Sequence, residues 1–164
     1  MVKAVIFDLD GTLVHLPIQY EKLYLKLQEM TKTSKIDSIA ETVIKLDEEN
    51  QKNFFKFWTK IELEAVPKLV INKEGMELYR KFSEKRLALI TMQSRIVVRE
   101  ILKKLNLSFE TIITREDSLN RVKQIELALK KLGIEPKDAL VVGDRENDRI
   151  SSEKVGCNFL MVKK

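Results

Sequence analysis

The sequence predicts an α/β protein with a doubly wound parallel sheet and a small helical segment inserted after the first strand. Three observations support this fold class. Short apolar runs recur along the chain, amphipathic helical patterns separate the later runs, and residues 17–67 have almost no strand character. Strands that alternate with helices are typical of a parallel sheet covered by helices on both faces.

The predicted strands are short runs of apolar and β-branched residues. They cover residues 2–7, 87–91, 111–114, 139–143 and 159–162, and the run at 111–114 is the weakest. The turn signal Asp10-Gly11 follows the first run closely, so that run is interpreted as a buried strand. Helical periodicity over 94–105 and 122–132 places apolar residues on one broad face of each segment, and Gly133 ends the second segment.

Residues 17–67 are predicted to form three helices. The first lies near 18–30 with Pro17 at its start, the second begins near Ser38 in a capping-box pattern, and the third lies near 51–63. The predicted division is therefore a core of residues 1–16 and 68–164 and a helical insertion of residues 17–67. Aromatic side chains in the third helix are expected mainly to pack the helices together, with substrate contact as the alternative: Phe54, Phe55, Phe57 and Trp58.

Composition narrows the class of protein. Of the 164 residues, 44% are hydrophobic, which is too many for a disordered chain. The net charge is +5, but basic residues are dispersed among acidic ones, which favours a solvated surface over a nucleic-acid-binding face. Cys157 is the only cysteine, so no intramolecular disulfide forms. No apolar run approaches the length of a membrane span and no signal-peptide pattern is present, so we expect a cytoplasmic protein.

Two short acidic stretches follow two of the predicted strands. One contains Asp8, Asp10 and Gly11, and the other contains Asp144 and Asp148 after Gly143; together they hold four of the chain's eight aspartates. Ligands of open parallel sheets bind beyond the carboxyl ends of the strands, where both stretches are placed. For either stretch alone, a helix-capping turn is an equally good interpretation. The coincidence of the two favours a functional site.

Carboxylates at these positions predict a metal site. Residues two apart on a strand point to the same side, so Asp8 and Asp10 can face one site together. If Asp144 joins them, the three carboxylates repel one another unless a cation is bound. Carboxylate oxygens together with phosphate oxygens are the preferred ligands of Mg²⁺, which is the cofactor we expect.

These stretches resemble motifs of the haloacid dehalogenase superfamily, in its phosphatase branch. Residues 8–13 are similar to the first motif, the apolar strand ending in Thr91 to the second, and Gly143-Asp144 with Asp148 to the fourth. The resemblance covers essentially the whole chain and places the helical insertion where the family carries a helical cap. It implies a magnesium-dependent phosphatase that hydrolyses a small phosphomonoester. A phosphoryl-transferring mutase and a non-catalytic binding protein are the alternatives.

The resemblance also implies residue roles. Asp8 would attack phosphorus to form an aspartyl-phosphate, and Asp10 would protonate the leaving group and then activate water. Mg²⁺ would be held by the Asp8 carboxylate, the Asp10 main-chain carbonyl and Asp144. Asp148 would steady either the metal's ligands or the cation that balances the phosphate charge. Thr91 would donate a hydrogen bond to phosphate.

The third motif departs from the family pattern, because no Lys-Pro pair precedes the helix at 122–132. Lys123 is the first choice for the cation that balances the phosphate charge, and Arg121 is the second. Both can also be ordinary basic residues at a helix start. Arg145 takes a place that is often held by a small residue, where it could contact substrate or lie on the surface. His15, the only histidine, is assigned no role.

Overall fold

A computed structural model describes residues 1–163 and contains seven strands and seven α-helices within that range. The strands are β1 (Ala4–Asp8), β2 (Val14–His15), β3 (Val70–Ile71), β4 (Arg86–Ile90), β5 (Thr111–Ile113), β6 (Ala139–Gly143) and β7 (Asn158–Met161). The helices are α1 (Tyr20–Thr31), α2 (Ile39–Ile44), α3 (Glu48–Ala65), α4 (Lys73–Lys81), α5 (Arg95–Leu105), α6 (Arg121–Leu132) and α7 (Glu146–Val155).

Five strands form one parallel sheet in the order β5-β4-β1-β6-β7. The central strand β1 is fully buried, and its Phe7 lies between Leu89 of β4 and Val142 of β6. The carboxyl ends of β1 and β6 therefore lie side by side, and the two acidic stretches that follow these strands are brought close together. The predicted α/β fold with a parallel sheet is confirmed.

Helices cover both faces of the sheet. On one face, Phe7 and Leu89 pack in a hydrophobic cluster that includes Ile101 of α5 and residues of α1, α3 and α4. On the other face, Ile6 packs in a second cluster with Ile125 of α6, and α7 lies beside β6 and β7. Successive side chains of β1 thus enter opposite layers, which explains why this strand is continuously apolar.

The helical insertion leaves and rejoins the sheet layer through a two-stranded antiparallel ladder. His15 of β2 pairs with Val70 of β3, and α1, α2 and α3 lie between these strands in the chain. The predicted capping of α2 is present, since the Ser38 hydroxyl accepts a hydrogen bond from the Glu41 N–H at 3.3 Å. The structure therefore contains the three predicted helices, with α3 longer than the sequence pattern indicated.

Sequence analysis missed α4 and the β2–β3 ladder. Each strand of the ladder has only two residues, too few for a periodic pattern. Helix α4 begins after Asn72, whose side chain accepts a hydrogen bond from the Gly75 N–H at 3.3 Å. Among residues 1–163, no helix has the length and hydropathy that crossing a bilayer requires.

Candidate active site

The end of β1 and the turn after it position the two acidic side chains of the first stretch. Asp8 is the last residue of β1 and is 5% exposed. The chain then folds back tightly, because the backbone N–H of Leu13 donates to the Leu9 carbonyl at 2.9 Å. This turn directs the Asp10 carboxylate to the backbone N–H of Leu16, which donates to it at 2.8 Å.

Three carboxylates converge beyond the carboxyl ends of the central strands: Asp8 at the end of β1, Asp144 directly after β6, and Asp148 in α7. One carboxylate oxygen from each of Asp8, Asp144 and Asp148 lies within 4.8 Å of the other two. The hydroxyl of Thr12 lies 3.3 Å from Asp8 Oδ2 and 3.1 Å from Asp144 Oδ1, so it can donate to either. Mg²⁺ holds oxygens at about 2.0–2.1 Å, so opposite ligands lie about 4 Å apart. The cluster fits such an ion.

A glycine makes room for this convergence. Gly11 has a φ of +90°, and a Cβ built on it would lie 2.2 Å from Asp144 Oδ2. Any larger residue would therefore both strain the turn and displace the Asp144 carboxylate. The close approach of the β1 and β6 loops thus depends on glycine at this position.

Arg121, and not Lys123, lies in this site, which reverses the predicted order of preference between them. Arg121 Nη2 is 3.3 Å from Asp8 Oδ1, and its Nε is 3.1 Å from Asp148 Oδ1. Lys123 is exposed and lies beside a separate surface hollow with Asp117. Asn120 is the N-cap of α6, so Arg121 and Lys123 both lie in its first turn. Each residue of an α-helix is rotated by about 100° from the one before, so these two side chains, two residues apart, point in nearly opposite directions.

Asp148 is buried and uses both carboxylate oxygens within the protein. Its Oδ1 faces Arg121, and its Oδ2 accepts a hydrogen bond from the Arg145 N–H at 3.2 Å. Asp148 also belongs to the carboxylate cluster, so its position is compatible with both of the roles considered for it.

Thr91 lies at the end of β4, but its side chain is buried behind Gln93. The Thr91 hydroxyl donates to the Gln93 side-chain carbonyl and accepts from the Gln93 N–H at 3.1 Å. The residues of this loop that face the cavity are Met92 and Gln93. A Thr91 hydrogen bond to phosphate therefore needs the Gln93 side chain to move.

A cavity of about 420 Å³ opens above the carboxylates. Its floor contains Asp8, Asp10 and Arg121, and Arg145 lies on one wall. The residues of the inserted segment that line the cavity are Tyr20, Tyr24, Asp37, Ser38, Ile39, Ala40 and Trp58. Cavities of this size hold small ligands.

Burial controls the acidity of the two cavity carboxylates. Burial raises the pKa of Asp8 well above its ordinary value; Arg121 opposes this effect, and Asp148 and Asp144 add to it. Burial also raises the pKa of Asp10, although the hydrogen bond from Leu16 opposes it. A raised pKa suits a carboxyl group that gives a proton to a leaving group.

A family model described as haloacid dehalogenase-like hydrolase matches residues 5–162, which is nearly the whole chain. The chain belongs to this hydrolase family. A comparison of this sequence with curated proteins found no match.

Solved structures agree with the family fold. A protein from Lactobacillus plantarum with the provisional description phosphoglycolate phosphatase has a TM-score of 0.71 at 18% identity, over 97% of this chain and 86% of that chain. CbbY from Rhodobacter sphaeroides, solved with phosphate, has a TM-score of 0.72 at 16% identity, over 100% of this chain and 87% of that chain. A family enzyme from Bacteroides thetaiotaomicron, solved with magnesium and inorganic phosphate, has a TM-score of 0.61 at 17% identity, over 99% and 95%. At these identities the likeness establishes the shared fold.

The aromatic residues of α3 in this hydrolase divide between two surroundings. Phe54 is fully buried in the core cluster, as expected. Trp58 is 5% exposed; it packs in the same core cluster and also lines the cavity. Phe55 and Phe57 are half-buried against the cluster. Core packing thus dominates, and Trp58 is the one of the four that reaches the cavity.

Sequence reasoning missed a buried ion pair beside the cavity. Glu62 of α3 and Arg115 after β5 have fully buried side chains and are 2.8 Å apart. Nothing local distinguishes either residue from the many surface charges of the chain. Only their spatial partners reveal them, because the pair joins segments 53 residues apart in the chain.

Proposed function

We propose that the protein is a magnesium-dependent phosphatase that hydrolyses a small phosphomonoester through an aspartyl-phosphate on Asp8. The observation that carries this proposal is the arrangement around one cavity. Asp8 and Asp10 face the cavity together, a carboxylate cluster suited to Mg²⁺ lies beneath, and Arg121 lies against Asp8. Membership of the hydrolase family supports the same chemistry.

In the first step, a carboxylate oxygen of Asp8 attacks phosphorus and the bond to the leaving oxygen breaks. Asp10 gives its proton to that oxygen, a contribution of about 10²–10⁴-fold. In the second step, Asp10 takes a proton from water as the water oxygen attacks phosphorus. The bond between phosphorus and Asp8 breaks, and inorganic phosphate leaves.

Asp8, Asp144 and the main-chain carbonyl of Asp10 would hold Mg²⁺, with Asp148 behind them. The bound ion would supply positive charge next to the transferring phosphoryl oxygens. Arg121 supplies a second positive charge on the cavity floor, and Asp148 keeps its guanidinium oriented toward Asp8. Together these groups favour the charge that develops during transfer.

We further propose that residues 17–67 act as a cap over a core formed by residues 1–16 and 68–164. The support is the composition of the cavity wall, to which α1, α2 and α3 all contribute. Closing such a cap excludes water and limits the size of the leaving group. The expected ligands are therefore small phosphorylated metabolites.

The test is hydrolysis of an aryl phosphate and of a panel of small phosphate esters, with Mg²⁺ and with a chelator. We expect activity only with Mg²⁺, a loss of more than about 1,000-fold in Asp8→Asn, and a loss of about 100-fold or more in Asp10→Asn. Asp138→Asn is the matched control, because Asp138 precedes β6 at the opposite end of the sheet. Absence of turnover across the panel, or full activity in Asp8→Asn, would refute the proposal.

A further inference from the structure

Arg145 is a cavity residue to which the proposed mechanism gives no role. It directly follows Asp144 and precedes α7, and its side chain lines the cavity wall. Among residues 1–163, none of the ion pairs within 4.0 Å includes Arg145. The other cavity cation, Arg121, is by contrast held by two carboxylates.

The hydrogen bond that the Arg145 side chain makes is to a neutral partner. It forms a side-chain hydrogen bond with Tyr20, the first residue of α1. Burial raises the pKa of Tyr20 to about 12, so the phenol is neutral in the physiological range. The contact therefore holds the guanidinium against the inserted helices, where its charge also interacts with the carboxylates of Asp144, Asp8 and Asp10.

Arg145 lies on the side of the cavity where the leaving group must be. Its hydrogen-bond partner Tyr20 belongs to α1, one of the inserted helices that are proposed to enclose the leaving group, and both residues interact electrostatically with Asp10, the proposed proton donor. Arg121 is the arginine that forms an ion pair with the nucleophile Asp8. The two arginines are thus placed to serve different parts of one substrate.

Resting on the proposed phosphatase function, we propose that Arg145 binds a second negative charge on the leaving group. The substrate class is then a small phosphate monoester whose leaving group carries a carboxylate or a second phosphate. Both anions accept charge-assisted hydrogen bonds from a guanidinium, often two in parallel. A cavity of about 420 Å³ has room for a small leaving group that carries such an anion.

Matched ester pairs test this selectivity. The carboxylate pair is 3-phosphoglycerate and glycerol 3-phosphate, and the phosphate pair is propane-1,3-diol bisphosphate and the corresponding monophosphate. For one or both pairs we expect the wild-type kcat/KM to be about 10–100-fold higher for the anionic member. Arg145→Gln should abolish that preference, mainly through KM, and the pair affected identifies the anion.

The matched control is Arg149→Gln. Arg149 lies one turn further along α7, where it is paired with Glu146 and Glu153 on the surface. This control should retain the wild-type preference. An equal loss on both members of each pair in Arg145→Gln would show that Arg145 serves the transferring phosphoryl group, which overturns the proposal. No loss of preference in Arg145→Gln, or no preference in the wild type, overturns it as well.

A binding measurement separates failure of this inference from failure of the phosphatase proposal. Trp58 is the only tryptophan and lines the cavity, so its fluorescence can report ligand binding without turnover. Phosphonoacetate and ethylphosphonate form a non-hydrolysable pair that differs in the carboxylate. Methylenebisphosphonate and ethylphosphonate are the corresponding pair for a second phosphate. For one or both pairs we expect the member with the second anion to bind about 10-fold or more tightly than ethylphosphonate in the wild type and equally in Arg145→Gln. Equal binding within both pairs in the wild type contradicts the inference, whatever the catalytic result.

Discussion

Replacing Arg115 with methionine should destabilise the protein strongly. Arg115 and Glu62 have fully buried side chains and lie 2.8 Å apart. The same guanidinium donates to the Met92 carbonyl and to the Thr59 hydroxyl, each at 2.9 Å, and lies 4.1 Å from the centroid of the Trp58 ring. The network joins α3 to the loop after β4, so its loss affects both the fold and the cavity wall.

The magnitude follows from what the substitution leaves behind. Removing one partner of a buried ion pair costs about 3–5 kcal/mol, because the other charge remains buried. Burial raises the pKa of Glu62 to about 7 even in the presence of Arg115, so in Arg115→Met this carboxyl group can take up a proton. Because proton uptake removes the unpaired charge, we expect the loss in the free energy of unfolding to lie at the lower end of this range, about 3 kcal/mol. For a chain of this size, that lowers the melting temperature by about 6–12 °C.

Thermal unfolding followed by circular dichroism measures this change. The double variant Glu62→Gln/Arg115→Met removes both charges and should recover much of the loss, about 2 kcal/mol, since no unpaired charge remains. Arg149→Met is the matched control on the surface and should change the melting temperature by no more than about 2 °C. If Arg115→Met melts within 2 °C of the wild type, or if the double variant is merely additive, the reasoning is wrong.

Three further predictions concern stability and the catalytic site. The folded-state pKa of Glu62 is about 7, above its ordinary 4.5, so its contribution to stability is present below pH 4.5 and lost as pH rises through 7. The free energy of unfolding, measured with urea, should fall between pH 5 and pH 8 by up to about 3 kcal/mol more in the wild type than in Glu62→Gln. In steady-state kinetics, Gly11→Ala should lower kcat/KM at least about 10-fold, because the added Cβ would overlap the Asp144 carboxylate. The control Gly133→Ala should leave kcat/KM unchanged, because Gly133 also has a positive φ but a Cβ there would meet open space. Arg121→Met should lower kcat about 100-fold or more and Lys123→Met less than about 2-fold, and the opposite order would return the cation role to the lysine.

Local patterns in the sequence predicted most of the sheet and its covering helices. The run at residues 139–143 coincides with β6, and Gly133 follows the last residue of α6 as expected. Predicted strand ends differ by one or two residues, because hydrogen bonding to neighbours decides where pairing stops. The convergence of the two acidic stretches was also predictable, since both follow strands of one parallel sheet.

Interactions between distant segments decided the remainder. Arg121 and Lys123 have the same charge and nearly the same position in the chain, and only the orientation of α6 against β1 brings one of them to Asp8. Thr91 is hidden by Gln93 through the shape of a loop that no periodicity describes.

Periodicity and turn residues thus determined the fold class and the location of the acidic residues, because these depend on contacts within a few residues. The direction of each charged side chain, the burial of Glu62 with Arg115, and the exposed charge of Arg145 were decided only in the tertiary structure. The physical reason is that the electrostatic energy of a charge depends on its burial and its neighbours in space, and residue identity alone specifies neither.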